Sequence, residues 1–143
     1  MVRLETFPYG DPFRIGPYAV TAVKVRHTVE SSGFVVRRGA SSFAISGDTG
    51  PTTAFWRLVS RAPGLRAILV ELSFPSRMQR LADRSGHLTP RTLVGELAKV
   101  ERDPVPVYLY HLKPAFMAEL KAEVAALGLR GVKVLEGGDE IAI

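Results

Sequence analysis

A chain of 143 residues, 46% of them hydrophobic and 23% charged, is long enough for one domain with a sizeable core and too apolar to be disordered. No apolar run approaches the ~20 residues of a membrane-spanning helix, and the first residues lack the apolar stretch of a signal peptide, so the cytoplasm is the expected compartment. The absence of cysteine excludes disulfides and thiolate zinc sites, so any metal must be held by His, Asp or Glu.

The net charge of +5 comes mostly from arginine, with 14 Arg against five Lys. Arg37 and Arg38 are adjacent, and Arg57 and Arg61 are one helical turn apart. Guanidinium groups bind phosphate oxygens through paired hydrogen bonds, so a phosphate-bearing partner is one interpretation of this surface. A solvated arginine surface without a partner is the other. Because no aromatic residues alternate with these arginines, a dedicated nucleic-acid-binding module is not favoured.

In chain order, residues 1–17 are rich in proline and glycine and are predicted to form a loop. Apolar segments of strand length then predict strands at residues 18–25, 33–38, 42–46, 67–72, 106–110, 131–135 and 140–143. Apolar residues at helical spacing predict helices at residues 52–61, 77–84, 89–102 and 114–128. The second and third strands are expected to form a hairpin, and the last two a hairpin or an edge pair.

The order of these elements, strands first and then alternating strands and helices, indicates an α/β (α+β) fold. The nearly continuous apolar run at 67–72 is typical of a buried parallel strand. We therefore expect a mixed β-sheet with helices on one face. Nothing in the sequence marks an internal boundary, so residues 1–143 are predicted to be a single domain.

Polar residues that could carry chemistry lie near the ends of predicted strands. Asp48 and His111 each follow such a strand. Glu71 lies within one near its end, and His87 is a candidate partner for it because a carboxylate in an apolar run needs one. The carboxyl ends of strands meet along one edge of a sheet, so these side chains can converge. Each also has a plainer interpretation: Asp48 as a turn or cap residue before a helix with Pro51 in its first turn, and each histidine as a structural residue.

Five segments carry a resemblance to a known family. They are RHTVESSGF at 26–34, SGDTGP at 46–51, ELSFP at 71–75, GHLTP at 86–90 and HLKP at 111–114. Their order and spacing resemble the class II cyclic-nucleotide phosphodiesterases of the metallo-β-lactamase superfamily, and the related tRNA 3′-end-processing ribonucleases share these landmarks. The resemblance covers essentially all of residues 5–143.

The resemblance implies a role for each of five residues. Asp48 matches the aspartate that bridges two metal ions, and His111 matches the last metal-ligating histidine. Glu71 and His87 resemble the Glu–His pair that handles the proton of the leaving oxygen. His27 resembles a histidine on the substrate side, close to the scissile phosphate. The implied cofactor is a divalent metal, Zn²⁺ or alternatively Mn²⁺, and the implied substrate is a cyclic nucleotide or another phosphodiester.

One motif of the family is absent. The family carries a His-x-His-x-Asp-His loop, whereas the three histidines here are far apart in sequence. The resemblance therefore corresponds to the C-terminal half of an αββα sandwich, with Asp48 and His111 as the two protein ligands. Because a catalytic zinc normally has about three protein ligands plus water, we expect weak metal binding by the isolated chain.

Three explanations fit the missing loop: a fragment of a longer protein, one part of a split enzyme, or a degenerate member kept for assembly or phosphate binding. Half of a sandwich leaves an apolar sheet face uncovered, so a homodimer or docking with the missing N-terminal half is expected. Two functions thus stay open. One is a metal-dependent phosphodiesterase, incomplete as an isolated chain, and the other is a non-catalytic assembly or phosphate-binding module. Whether this chain alone is an enzyme is left undecided.

Overall fold

The computed structural model describes residues 5–143. The strands in this range are β1 Phe13–Ile15, β2 Tyr18–Lys24, β3 Ser32–Arg38, β4 Ser41–Ile45, β5 Leu65–Glu71, β6 Val107–Tyr110 and β7 Val132–Val134. The α-helices are α1 Ala54–Arg61, α2 Gln79–Ser85, α3 Pro90–Leu97 and α4 Met117–Ala126. Short 3₁₀ turns at Ser76–Met78 and Pro114–Phe116 lead into α2 and α4. None of these helices has the length and apolar composition needed to cross a membrane.

All of these strands form one sheet, in which the spatial order of the strands is the chain order. Strands β1 to β4 are antiparallel neighbours, and β4 to β7 are parallel neighbours. Each parallel connection contains at least one helix. Because parallel crossovers are right-handed and this half of the sheet grows in one direction, the helices fall on one face. The expectation of a mixed sheet with helices on one face is confirmed.

The hydrophobic core lies between the sheet and helices α1, α3 and α4. Phe55 and Trp56 of α1 are almost fully buried, at 0% and 1% exposure, as are Leu93 of α3 and Leu120 of α4. Aromatic side chains of this kind bury roughly 150–250 Å² each, so α1 contributes much of the apolar burial that fixes the antiparallel half of the sheet. The strands thereby receive a rigid support on one side.

On the antiparallel half of the sheet, the face opposite the helix-packed core is apolar. We call it the open face. The residues that line its concave region, about 480 Å³ in volume, are Phe7, Phe13, Ile15, Tyr18, Val20, Phe34, Val36, Phe43 and Ile45. Ile15 is 61% exposed there. An apolar surface of this kind on a single layer is typical of a surface that packs against another layer or chain.

Two predicted boundaries in the first half of the chain are wrong. Part of the predicted N-terminal loop forms β1, which pairs with β2 through Phe13 and Val20. Pro51 lies before α1 rather than in its first turn, because the helix begins at Ala54. The N–H of Thr52 donates to Glu96 Oε2 at 2.9 Å, which holds the preceding segment against α3.

Two further corrections concern the second half. The helix predicted to reach residue 102 ends at Leu97, where short-range bonds replace the helical pattern, including the one from Val100 N–H to the Leu97 carbonyl at 3.2 Å. The predicted last strand, residues 140–143, is not one: β7 pairs with β6, and no strand pairs with its other side among the described residues. The chain instead turns after β7, where Asp139 N–H donates to the Glu136 carbonyl.

Candidate functional site

The five predicted site residues converge at the carboxyl edge of the parallel strands. Asp48 follows β4, Glu71 is the last residue of β5, and His111 directly follows β6. His87 lies in the connection between α2 and α3, and His27 lies between β2 and β3. Two overlapping groups have donor atoms within 4.8 Å of one another: His27, Asp48 and His87, and Glu71, His87 and His111.

Glu71 and His87 form a buried carboxylate–imidazole pair. Their side chains are 0% and 9% exposed, and Glu71 Oε1 lies 2.9 Å from His87 Nδ1. Because an ionised carboxylate oxygen only accepts, His87 Nδ1 carries the hydrogen and is the donor of this hydrogen bond. The backbone N–H groups of Thr49 and Leu88 donate to the same oxygen at 3.1 and 3.2 Å. These hydrogen bonds satisfy a carboxylate that would otherwise be costly to bury.

Asp48 and His111 form the solvent-facing part of the site. Asp48 Oδ1 lies 3.1 Å from His111 Nδ1, and the two side chains are 40% and 34% exposed. The position of Asp48 depends on the SGDTG turn, in which Gly47 has a φ of 62° and an added Cβ would lie 2.3 Å from the Ser32 carbonyl oxygen. Only glycine fits this approach of two backbones. The turn thereby presents the carboxylate next to the end of β6.

His27 reaches the site because its loop is tied to the same turn. Gly50 N–H donates to the Arg26 carbonyl at 2.7 Å, and the Ser31 hydroxyl donates to the Asp48 carbonyl at 2.8 Å. His27 Nδ1 lies 3.0 Å from the Gly86 carbonyl, so Nδ1 carries the proton and Nε2 has the free lone pair. The His27 and His87 rings are 4.8 Å apart between centroids.

Ser73 is a residue that the sequence interpretation missed. It is fully buried, and its hydroxyl group lies within 3.2 Å of polar atoms of Glu71, His87 and His111. The available signal was its spacing: Ser73 is two residues after Glu71, and alternate residues of an extended segment point to the same side.

The backbone at His111 adopts a left-handed conformation, with a φ of 65°. It is the one non-glycine residue with positive φ in the described part of the chain. A side chain in this region is strained, and such strain persists where the surrounding structure enforces it, often at functional sites. Here it turns the imidazole at the end of β6 toward Asp48.

Tyr110, the last residue of β6, is another unpredicted neighbour of the site. Burial raises its pKa from 10.0 to about 12, and the nearby carboxylates of Asp48 and Glu71 act in the same direction. Hydrogen bonds with Ser46 and with the backbone of Gly47 oppose the shift. The phenol therefore stays neutral at physiological pH and acts as a hydrogen-bonding group beside the two carboxylates.

The donor set suits a divalent metal ion. Three imidazoles and two carboxylates within one cluster are the nitrogen and oxygen ligands that zinc prefers when thiolates are absent. The Nδ1 protons of His27 and His87 are held by Gly86 and Glu71, an arrangement that orients the rings of metal-binding histidines. The residues present thus fit such an ion.

The sequence matches a known family over most of its length. Residues 1–112 match the model of the beta-lactamase superfamily domain, and the chain belongs to this family. The open-edged sheet with its cluster of His, Asp and Glu is consistent with this superfamily, whose metallo-β-lactamase fold generally binds divalent metals. No curated protein matches the sequence.

Several solved structures share the fold. YhfI from Bacillus subtilis, a metallo-beta-lactamase fold protein, is similar with a TM-score of 0.74 at 18% identity, over 93% of this chain and 53% of that one. Yeast PDE1 is similar with a TM-score of 0.73 at 22% identity, over 92% of this chain and 48% of that one. The short form of human tRNase Z is similar with a TM-score of 0.62 at 18% identity, over 87% of this chain and 42% of that one. The chain spans about half the length of these proteins. At sequence identities this low, the similarity shows only that the fold is shared.

Proposed function

We propose that this chain forms part of a metal-dependent phosphodiesterase-like hydrolase that acts on a cyclic nucleotide or a related phosphodiester. The observation that carries the proposal is the convergence of all five predicted site residues at one edge of the sheet. The family and the similarity to yeast PDE1 and human tRNase Z support the same reaction class.

In this proposal Asp48 and His111 hold the metal at the solvent-facing side. A bound divalent ion supplies the positive charge that neutralises the phosphoryl oxygens and favours attack by water. Zn²⁺ is the expected ion and Mn²⁺ the alternative, because the ligands are imidazole nitrogen and carboxylate oxygen. His27 lies beside Asp48, either as a further ligand or as a contact for the scissile phosphate.

The Glu71–His87 pair serves the leaving group. Cleavage of a phosphodiester produces an alkoxide that needs a proton, and a positioned imidazole supplies one near neutral pH. Glu71 holds the Nδ1 side of the ring, so the Nε2 side is the one that transfers the proton. The buried carboxylate also stabilises the positive charge of the protonated ring. Burial of the pair keeps this charge interaction from being screened by solvent.

The open face supplies the reason to expect a partner. A second layer packed on this face would cover its apolar residues. In this proposal the same partner supplies the metal ligands that Asp48 and His111 do not provide. A second copy of this chain and a separate N-terminal half are the two candidates. A titration of the chain alone is therefore expected to show weaker metal binding than the assembled protein.

The first test is a calorimetric titration of metal-free protein with Zn²⁺, and separately with Mn²⁺. Asp48→Ala should lose the binding that the wild-type chain shows, whereas Asp103→Ala, which removes an exposed carboxylate elsewhere, should retain it. Two tight equivalents per chain would indicate that self-association completes the site. Identical isotherms for wild type and Asp48→Ala would contradict the proposed metal site.

The two roles of His27 are separable in the same system. If the imidazole binds the metal, His27→Ala lowers the affinity for Zn²⁺. If it contacts the phosphate, the same change leaves the affinity for Zn²⁺ intact and raises the KM for a phosphodiester such as bis-p-nitrophenyl phosphate. If His27→Ala changes neither the affinity for Zn²⁺ nor the KM, His27 is not part of the site.

A non-catalytic phosphate-binding module is the second candidate, favoured by one observation. A cleft of about 390 Å³ beside α1 is lined by Arg57, Arg61 and Lys99 among other residues. Titration with a cyclic nucleotide distinguishes the candidates, because binding there should be lost in Arg57→Ala and unaffected in His87→Ala. Hydrolysis that is lost in His87→Ala and kept in Arg57→Ala would support the enzyme instead.

A further inference from the structure

We propose that Ser73 is a positioning residue that links the Glu71–His87 pair to His111 and fixes which ring nitrogen of His111 is free. Its hydroxyl oxygen lies 3.0 Å from Glu71 Oε2, 3.2 Å from His87 Nδ1 and 3.1 Å from His111 Nδ1. The side chain is fully buried, so no water competes for these positions. The consequence for catalysis rests on the proposed function, but the hydrogen-bond assignment does not.

The assignment follows from counting donors and acceptors. A serine hydroxyl has one donor and two acceptor positions. The donor is used on Glu71, because a carboxylate oxygen can only accept. The oxygen of Ser73 is therefore an acceptor toward both imidazoles, and each ring must present a protonated Nδ1 to it. All hydrogen-bonding positions of the hydroxyl group are then occupied.

For His87 the contact with Ser73 is longer than the one with Glu71, at 3.2 Å against 2.9 Å. For His111 the contact with Ser73 is as short as the one with Asp48. His111 Nδ1 has two acceptors in reach, Asp48 Oδ1 and Ser73 Oγ, each at 3.1 Å. When the Asp48 carboxylate is engaged by another ligand, Ser73 is the acceptor that still holds the Nδ1 proton. The Nε2 lone pair of His111 then stays available, as a metal-binding imidazole requires.

The test uses metal-free protein and a direct measurement of the histidine tautomers by ¹⁵N NMR. Asp48→Ala removes one acceptor, and His111 should keep its Nδ1-protonated form because Ser73 still accepts. In the double variant Asp48→Ala/Ser73→Ala both acceptors are gone, and His111 should change to the Nε2-protonated form that free histidine prefers. Asp48→Ala/Ser73→Thr restores a hydroxyl and should restore the Nδ1-protonated form.

The proposal is overturned if His111 is Nε2-protonated in Asp48→Ala, or if it stays Nδ1-protonated in the double alanine variant. A second measurement covers the case in which the double variant does not fold. Ser73→Ala alone should lower the affinity for Zn²⁺ by about 10-fold or more, and an unchanged affinity would contradict the positioning role. Because the tautomer readout needs no metal and no substrate, it can succeed where hydrolysis fails, which separates this inference from the proposed function.

Discussion

His111 shows how one backbone conformation serves the candidate site. Its φ of 65° places a non-glycine residue in the left-handed region at the end of a buried strand. This conformation costs an L-residue about 1–2 kcal/mol, and glycine avoids that cost. The strained residue is the one that the sequence resemblance implies as a metal ligand. The left-handed backbone therefore lies at a candidate site residue and not within the strand.

A matched pair of substitutions measures this strain. His111→Gly and His111→Ala both remove the imidazole, so the difference between them reports the backbone. We expect the glycine variant to be more stable by about 1 kcal/mol in urea denaturation, because only the alanine variant retains a Cβ in the left-handed region. Equal stability of the two variants would show that the backbone is unstrained at this position.

Tyr110 gives the molecule a pH dependence at the alkaline end. Its folded pKa of about 12 lies above the ordinary value of 10.0, so the folded state holds the phenolic proton more tightly than the unfolded state. The stability that results is fully present below pH 10 and is lost as the pH rises toward 12. In the wild type, tyrosinate absorbance should show one late-titrating phenol. Tyr110→Phe should remove that phase, and its survival would assign it to another tyrosine.

At the scale of elements, a buried network joins α1 to α3. Glu96 of α3 is 3% exposed, accepts from the indole N–H of Trp56 at 2.7 Å and from the Thr52 N–H at 2.9 Å, and pairs with Lys99. This network orients α1 and fixes the segment that connects it to the SGDTG turn. The contact between α1 and α3 thus supports the turn that carries Asp48.

Removal of the Glu96 carboxylate should destabilise the fold strongly. Glu96→Ala leaves the buried indole N–H and the Thr52 N–H without an acceptor, and the expected loss is about 3 kcal/mol of unfolding free energy. Glu101→Ala removes an exposed carboxylate nearby and should change stability by less than about 0.5 kcal/mol. Urea denaturation of the two variants checks the prediction. A loss below about 1 kcal/mol for Glu96→Ala would show that water replaces the carboxylate.

The elements that the sequence predicted best are those whose apolar pattern matches their burial. The run at 67–72 gave a buried parallel strand, and the GA link at 39–40 gave the β3–β4 hairpin. The pattern failed at β1, where Phe13 and Ile15 flank Arg14 in a segment dominated by proline and glycine. It also failed at residues 140–143, where Ile141 and Ile143 line a cleft instead of forming a strand.

The sequence predicted that the five residues converge, but not the hydrogen bonds that connect them. Motif order identified the residues that converge, since strand ends share one edge of the sheet. The spacing of Ser73 from Glu71 puts both on one side of an extended segment but does not indicate a contact with His111, and Tyr110 has no distinctive spacing. Their significance arises from distances between elements, such as the 3.1 Å from Ser73 to His111, which no local pattern encodes.

At the scale of the whole molecule, the open face predicts association. We expect the chain to self-associate at micromolar concentrations, measured by sedimentation velocity over a concentration series, because burial of this apolar surface is favourable. Ile15→Lys places a charge on the open face and should weaken the association. Val94→Lys alters a residue of α3 that is 42% exposed and should have no effect. If the chain stays monomeric at every concentration, the prediction of self-association is wrong, and a separate partner would be the one that covers the open face.

The agreement between strand order and chain order has a consequence for how the protein is made. Each strand of the sheet pairs with the strand synthesised just before it, so no strand must wait for a distant one. Pairing between successive strands keeps the closing loops shorter than in a sheet with a shuffled strand order, which lowers the entropy cost of loop closure. On the ribosome, the sheet can extend one strand at a time from β1 to β7, and His111 joins Asp48 only after β6 has been added.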